Sequence, residues 1–194
     1  MCGSFCTLNE VVCTLCSLTE KYEIMPIMSG ITYETDTRFG TAMSFKERIT
    51  NATGKDIIHT VAQAEPIGPK KLLDVMVIAP CTGNTLAKLA GGITDTSVTM
   101  AAKAHLRNGR PLIIALSTND ALSGSAKNIG ALMNYKNVYF VPFSQDNPHN
   151  KERSCIAESQ VVYAPLSFHS SAQGEVSLPD SSGLATNAEN TSTT

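Results

Sequence analysis

Three short segments place glycine beside hydroxyl and amide side chains in spacings that could hold a small polar ligand. The first is Cys2-Gly3-Ser4-Phe5-Cys6-Thr7. Gly3 lets backbone come close to a bound group, and Ser4 and Thr7 offer hydroxyls. The free N–H groups of a first helical turn suit a phosphate. A plain N-cap by Ser4 or Thr7 explains the same residues. The second segment runs from Ile78 to Ala90 and carries Thr82, Asn84 and Thr85 between an apolar run and a helical pattern. A side-chain amide there supplies donors and an acceptor together. Capping by Thr82 or Asn84 is the simpler alternative. The third segment, Leu116 to Leu122, carries Ser117, Thr118, Asn119 and Asp120. Asn119 or Asp120 serves equally as the cap of the next helix.

Other reactive side chains are scattered. Arg38, in TDTRFG, has a guanidinium that grips a dicarboxylate or phosphate bidentately, or simply forms a solvated loop charge. Cys13 and Cys16 form a C-x-x-C in mid-helix, whereas redox pairs usually sit at a helix start. They read as small packing residues, and Cys6 as a structural thiol near a helix start. No histidine stands close enough in sequence to suggest zinc, so no metal is expected. His59, His105, His149 and His169 are isolated. Lys70 and Lys71 read as an exposed basic pair. No general base is identifiable.

The elements that must position these residues follow from periodicity. Residues 6–20 form one apolar stripe of Leu8, Val11, Val12, Leu15 and Leu18, which predicts a helix. Tyr22 to Met28 reads as a short strand, weakened by Pro26. Residues 43–53 read as a helix that Gly54 ends. AEPIGPKK, with its prolines, reads as loop. LLDVMVIAP and PLIIAL read as strands buried on both faces. Helices are expected after the second segment, over 97–108 and over 125–135, with a further strand at Asn137 to Val141. Strand, loop and helix alternate, which predicts an α/β doubly wound parallel sheet of three layers, with ligands beyond the carboxyl ends of the strands. The first helix starts almost at Met1, so the sequence predicts that the usual first strand is missing. Residues 1–166 are expected to be one domain. From Ser167 the composition turns polar and aperiodic, which predicts a disordered tail over 167–194.

The totals exclude several classes. The chain has 194 residues, with 15 basic and 17 acidic side chains and a formal net charge of −2. Near balance, no field favours nucleic acid or a membrane surface. No apolar run approaches the ~20 residues a spanning helix needs. The six cysteines lack a secretory signal, so they read as reduced thiols of a cytoplasmic protein.

The second segment carries a recognisable pattern. IAPCTGNTLAKLAGGITDT resembles the Pro-Ala-Ser-Ala-Asn-Thr segment of the homo-oligomeric flavin-containing cysteine decarboxylase superfamily. More narrowly, CGSFCT, TDTRFGTA, AEPIGPKKLLDVMVIAPCTGNTLAKLA, TDTSVTMAAKAHLRNGRPLIIALSTNDALS and NIGALMNYKNVYFVPFSQD resemble the dipicolinate synthase B-subunit family. The match covers most of residues 2–147. It implies a flavodoxin-like Rossmann fold, bound FMN, a homo-oligomer, and a partner A subunit with which dihydrodipicolinate is oxidised to dipicolinate in sporulation. By position it assigns Gly3, Ser4, Thr7 and Ser29 to the phosphate. Thr82, Asn84 and Thr85 fall beside the flavin ring, and Ser117, Thr118 and Asn119 in a loop closing on ring and substrate. Arg38 becomes the candidate anchor for a substrate carboxylate. Two departures stand out. The decarboxylases carry a histidine shortly before the strand that leads to the second segment; here that stretch is EPIGPKKLL, and the nearest histidine is His59. They also carry Pro-x-Met-Asn where this chain has Leu116-Ser117-Thr118-Asn119. The alternatives within the superfamily are a flavin-dependent decarboxylase or a prenyl-flavin synthase. A flavin-free regulatory partner protein is the alternative from another class.

Overall fold

The computed structural model describes residues 1–158. The expected polar tail over 167–194, and with it the domain boundary at 166, lie outside the described residues.

The chain opens with α1 (Phe5–Leu18), α2 (Gly30–Glu34), α3 (Ala42–Thr53) and α4 (Val61–Ala64). Then follow β1 (Met76–Cys81), α5 (Gly83–Ala90), α6 (Ser97–Leu106) and β2 (Leu112–Thr118). The last described elements are α7 (Ala126–Met133), β3 (Val138–Phe140), β4 (Phe143–Asn147) and β5 (Lys151–Ala157). β1, β2 and β3 run parallel, with Met76 opposite Leu112 and Leu112 opposite Val138. The alternation of side chains across the sheet sorts them into two cores. Met76, Ile78, Leu112 and Ile114 pack with Val98 and Ala101 of α6 on one face. Ile113 and Ala115 pack with Val77, Ala79, Leu18 and Ile24 on the other. A further core joins Leu8 and Val12 of α1 to Phe45 and Ile49 of α3. Helices therefore cover both faces of the sheet, as the α/β reading requires.

Three expectations need correction. The sheet is mixed, not wholly parallel: β5 runs antiparallel to β2 through Ser117 and Thr118, and β4 pairs antiparallel with β5. This hairpin takes over the edge of β2 beyond the point where β3 ends. Half of its strand residues are exposed and the buried ones are adjacent, so they show no apolar alternation to read. Second, AEPIGPKK is partly helical. Thr60 and Gln63 form a reciprocal capping box at the start of α4, and a 3-10 turn follows over Glu65–Ile67. Pro66 stands near the start of that turn, where a missing N–H costs little. Third, Tyr22 to Met28 is not a strand. Only Ile27 makes a bridge, parallel to Ile58. Pro26 has no N–H to give, and its carbonyl accepts from Ile58 at 3.0 Å.

Met1 and Cys2 link the Ile27–Ser29 segment to β1. The Met1 amine donates to the Ile27 carbonyl at 2.7 Å, and the Ser29 N–H donates to the Met1 carbonyl at 3.0 Å. The Cys2 N–H donates to the Pro80 carbonyl at 3.2 Å. Among the described residues α1 is the first helix or strand in the chain.

Candidate functional site

At the carboxyl ends of the strands a cleft of about 610 Å³ opens between the amino ends of α1, α2, α4, α5 and α6. Such a volume falls within the usual range for small-molecule sites. Each rim segment has a local reason for its shape. Thr82 caps α5 by accepting from the Thr85 N–H at 3.2 Å, and its hydroxyl donates to that of Thr85 at the same distance. Thr96 and Thr99 form a capping box at the start of α6. The Ser97 hydroxyl donates to the Met28 carbonyl at 2.5 Å and pins α6 beside the segment that enters α2. Lys88 and Asp95 pair at 2.8 Å across the rim.

The remaining two amino ends differ. Neither α1 nor α2 has a side-chain cap. The Ser4 hydroxyl turns instead to that of Ser117 at 2.7 Å, and the Thr7 hydroxyl lies 3.2 Å from Ser4 and 3.3 Å from Ser117. The Ser29 hydroxyl is buried against that of Thr32 at 2.8 Å. First-turn N–H groups of α1 and α2 are therefore left without a side-chain acceptor, and Gly3 and Ser29 put both helix starts on the cleft wall. A helix start of this kind favours an anion.

The structure thus brings Gly3, Ser29, Thr82, Asn84 and Thr85 onto one cleft. Asn84 is exposed there. Ser4, Thr7 and Ser117 form the hydroxyl cluster at the foot of α1, and Thr7 and Ser117 line a different cavity. Thr118 donates to the Asp120 carboxylate at 2.6 Å, and Ser125 donates to the same oxygen at 2.8 Å. The Thr118 bond, followed by that from Ser125, holds the Asp120 carboxyl below its ordinary pKa against the opposing effect of burial. This node packs on Gly83, where a Cβ would stand 2.7 Å from the Thr118 hydroxyl. Asn119 is exposed and lines neither cavity. Arg38 is also exposed, with its guanidinium 4.8 Å from the centre of the Phe39 ring, and it lines neither cavity.

Sequence reasoning missed part of the rim. His59, Thr60 and Val61 line the cleft, as do Lys88, Asp95, Thr96 and Ser97. His59 is stacked on Tyr33 with ring centroids 3.9 Å apart, and Lys46 covers the Tyr33 ring at 4.3 Å. The pattern Thr60-Val-Ala-Gln63 is a capping-box signature and would have revealed α4. Among the described residues no group of acidic, histidine or cysteine side chains is arranged to hold a metal, and no helix is long and apolar enough to cross a membrane.

Comparison with known proteins identifies the family and the fold. The model of the Flavoprotein family matches residues 6–163. The B subunit of dipicolinate synthase from Bacillus subtilis (strain 168) is 43% identical over 161 residues, covering 82% of this chain and 80% of the relative. The crystal structure of the dipicolinate synthase B subunit from Bacillus halodurans C superposes with a TM-score of 0.78 at 41% identity, covering 89% of each chain. The FMN-binding protein AtHal3 shares the fold, with a TM-score of 0.63 at 19% identity over 90% of this chain and 95% of that one. The chain belongs to the flavoprotein family and, within it, groups with the B subunits of dipicolinate synthase.

Proposed function

We propose that this chain is the FMN-binding B subunit of a cytoplasmic dipicolinate synthase, which oxidises dihydrodipicolinate to dipicolinate with an A subunit during sporulation. The observation that carries the reading is the pair of uncapped helix starts, α1 and α2, on the same cleft wall as the Asn84 amide. The residues present fit the cofactor. The α1 and α2 amides, approached past Gly3 and Ser29, would hold the phosphate, with Ser4 and Thr7 at its side. Asn84 would meet the polar edge of the ring, flanked by Thr82 and Thr85. Ser117, Thr118 and Asn119 would close beside ring and substrate. When bound, FMN supplies a hydride acceptor for a dihydropyridine ring that becomes aromatic. The protein contributes binding, orientation and exclusion of water. Lys88 is neutralised by Asp95, so it does not act as a free cation toward the phosphate.

Two measurements test this. Titration with FMN and with riboflavin should give a yellow complex that holds FMN at least tenfold more tightly, a difference of about 1.4 kcal/mol for the phosphate. Purified together with its A subunit, the chain should then form dipicolinate. An absence of product with the flavin site filled ends the oxidoreductase reading. Arg38 lies outside the cleft wall, so its role has a separate readout. Arg38→Ala should raise KM for the dicarboxylate and leave FMN affinity unchanged; unchanged KM removes Arg38 from the site.

One observation favours a second reading. His59 reaches the cleft wall although it is distant in sequence from the position where the decarboxylases carry theirs. A flavin-dependent decarboxylase of the same superfamily would use it, and carbon dioxide release from a cysteinyl peptide, lost in His59→Gln, is the measurement.

A further inference from the structure

One flank of α1 carries Asn9, Cys13 and Cys16 at i, i+4 and i+7, a spacing that places them in one row along the helix. Arg48 of α3 reaches across to two of them. Its Nη1 donates to the Asn9 Oδ1 at 2.7 Å, and its Nη2 donates to the Cys13 sulfur at 3.2 Å. Asn9 thus orients the guanidinium, and the second N–H is aimed at sulfur. Arg48 is half-buried, between Phe45 and Ile49 of the α1–α3 core. Among the described residues it forms no ion pair with a carboxylate.

The two thiols of this row differ. Cys13 is exposed, so it is not the packing residue that its mid-helix place suggests. Cys16, one turn further on, is partly buried against the α1–α3 core. The nucleophilic form of a cysteine is the thiolate. An N–H donated by a guanidinium makes a charge-assisted bond, stronger when the acceptor carries negative charge. Redox C-x-x-C pairs at a helix start use the free amides there for this purpose. In mid-helix those amides are bonded within the helix, and Arg48 supplies the donor instead. Residues three apart in a helix stand about 5 Å apart at Cα, inside the range of roughly 4.4–6.8 Å that a disulfide spans.

We propose that Cys13 and Cys16 form a thiol–disulfide exchange site for small disulfides, in which Cys13 attacks, Cys16 resolves and Arg48 stabilises the attacking thiolate. The Cys13 thiolate attacks one sulfur of a low-molecular-weight disulfide. That S–S bond breaks, and a small thiolate leaves with the electron pair. Cys16 then gives its proton to solvent and attacks the Cys13 sulfur, which expels the second small thiolate. The protein dithiol is oxidised to a disulfide, and the small disulfide is reduced to two thiols. Cys13 reacts first because its sulfur is open to solvent, whereas Cys16 is partly covered in the seam between the helices. Cβ atoms three apart on a helix stand about 5–6 Å apart, wider than the roughly 3.5–4.5 Å of a relaxed disulfide, so the bridge is strained and readily reduced. Forming it also removes the charge that Arg48 holds, which loosens the tie between α1 and α3.

The test follows the thiols of the folded full chain by peptide mass spectrometry. Labelling of Cys13 by iodoacetamide should slow about tenfold or more in Arg48→Gln, the loss expected when a charged donor is removed. An unchanged Cys13 rate overturns the proposal whatever the thermal midpoint does, because an arginine that only ties the helices would lower stability alone. Should Arg48→Gln not fold, Arg48→Lys takes its place; it keeps the charge but not the planar fork, and should slow labelling in the same direction. With oxidised glutathione, the peptide that holds Cys13 and Cys16 should lose two hydrogens and regain them with dithiothreitol. Cys16→Ser should stop at a glutathione adduct on Cys13, and Cys13→Ser should leave Cys16 unmodified. A chain that stays reduced overturns the proposal. So does an adduct on Cys16 in Cys13→Ser that forms as fast as the one on Cys13 in Cys16→Ser. None of these readouts involves flavin, so the outcome is independent of the function proposed above.

Discussion

Two cavities of nearly equal size, about 610 and 600 Å³, lie at different parts of one sheet. The first is walled by helix starts, hydroxyls and an amide, with Phe5, Ile31 and Val61 among them; the second, a groove between α1 and the sheet, is walled by aliphatic side chains such as Leu15, Leu18 and Val77, with Glu10, Glu23, Lys55 and Asp74 also lining it. Their similar volume and different arrangement of polar groups, grouped at helix starts in the first and scattered in the second, show that volume alone does not define a site. The cleft offers N–H groups that a bound anion would satisfy, whereas the groove offers no such convergence of helix starts.

The largest expected effect tests what the two regions share. Ile114 is fully buried in the central strand, and Ile114→Ala should cost about 2–5 kcal/mol by calorimetry or urea titration. It should weaken the flanks of both cavities together. Gly83→Val separates them. Its Cβ would collide with the Thr118–Asp120–Ser125 node, at a cost of about 1–3 kcal/mol. FMN affinity should fall with it, while hydrogen exchange along Val77 stays as it was. Unchanged FMN affinity would detach the node from the cleft. Thr118→Val is milder, about 1 kcal/mol, and should raise the Asp120 pKa toward its ordinary value, visible by carbon-detected NMR titration.

Acidity sharpens the contrast further. His105 is buried with its Nε2 at 2.8 Å from the Pro111 carbonyl, and burial lowers its pKa. The unfolded chain then takes up the proton first. Its stabilising contribution is complete above the ordinary histidine pKa of about 6.5 and is lost as pH falls through the lowered folded value. Asp120 also has a lowered pKa, and its contribution is lost only at lower pH, below about 3.9. Urea midpoints should therefore fall first from the His105 side of the sheet, and His105→Gln should remove that first phase. The smallest effect belongs to the groove rim. Leu72→Ser, at an exposed position, should change stability by no more than about 0.5 kcal/mol. A larger loss would mean that the groove is already covered in solution.

The sequence discloses most of this where burial is two-sided or a turn needs a special residue. PLIIAL is apolar throughout because both faces of β2 are covered. Gly54 ends α3 because its φ of 65° suits glycine. The hairpin was silent: Ser144, Gln145, Lys151 and Glu152 are exposed, and their pairing depends on contacts with Ser117 and Thr118 far away in the chain. The site was legible in the same partial way. Gly3, Thr82 and Asn84 stand out by residue type and by the strand or helix beside them. His59 and Asp95 to Ser97 carry no such flag, and only the convergence of helix starts brings them to the rim. The Thr118 hydroxyl shows the converse, because its nearest partner is Asp120, two residues on.

The ion pair on the cleft rim has a consequence for how a ligand is chosen. Lys88 and Asp95 cancel, and among the described residues no other formally charged side chain lines the cleft. A guest there would be gripped through directional amides at short range, not drawn in by a long-range field. Ionic strength therefore has little to screen, and the pocket discriminates by the placement of acceptor oxygens more than by the guest's total charge.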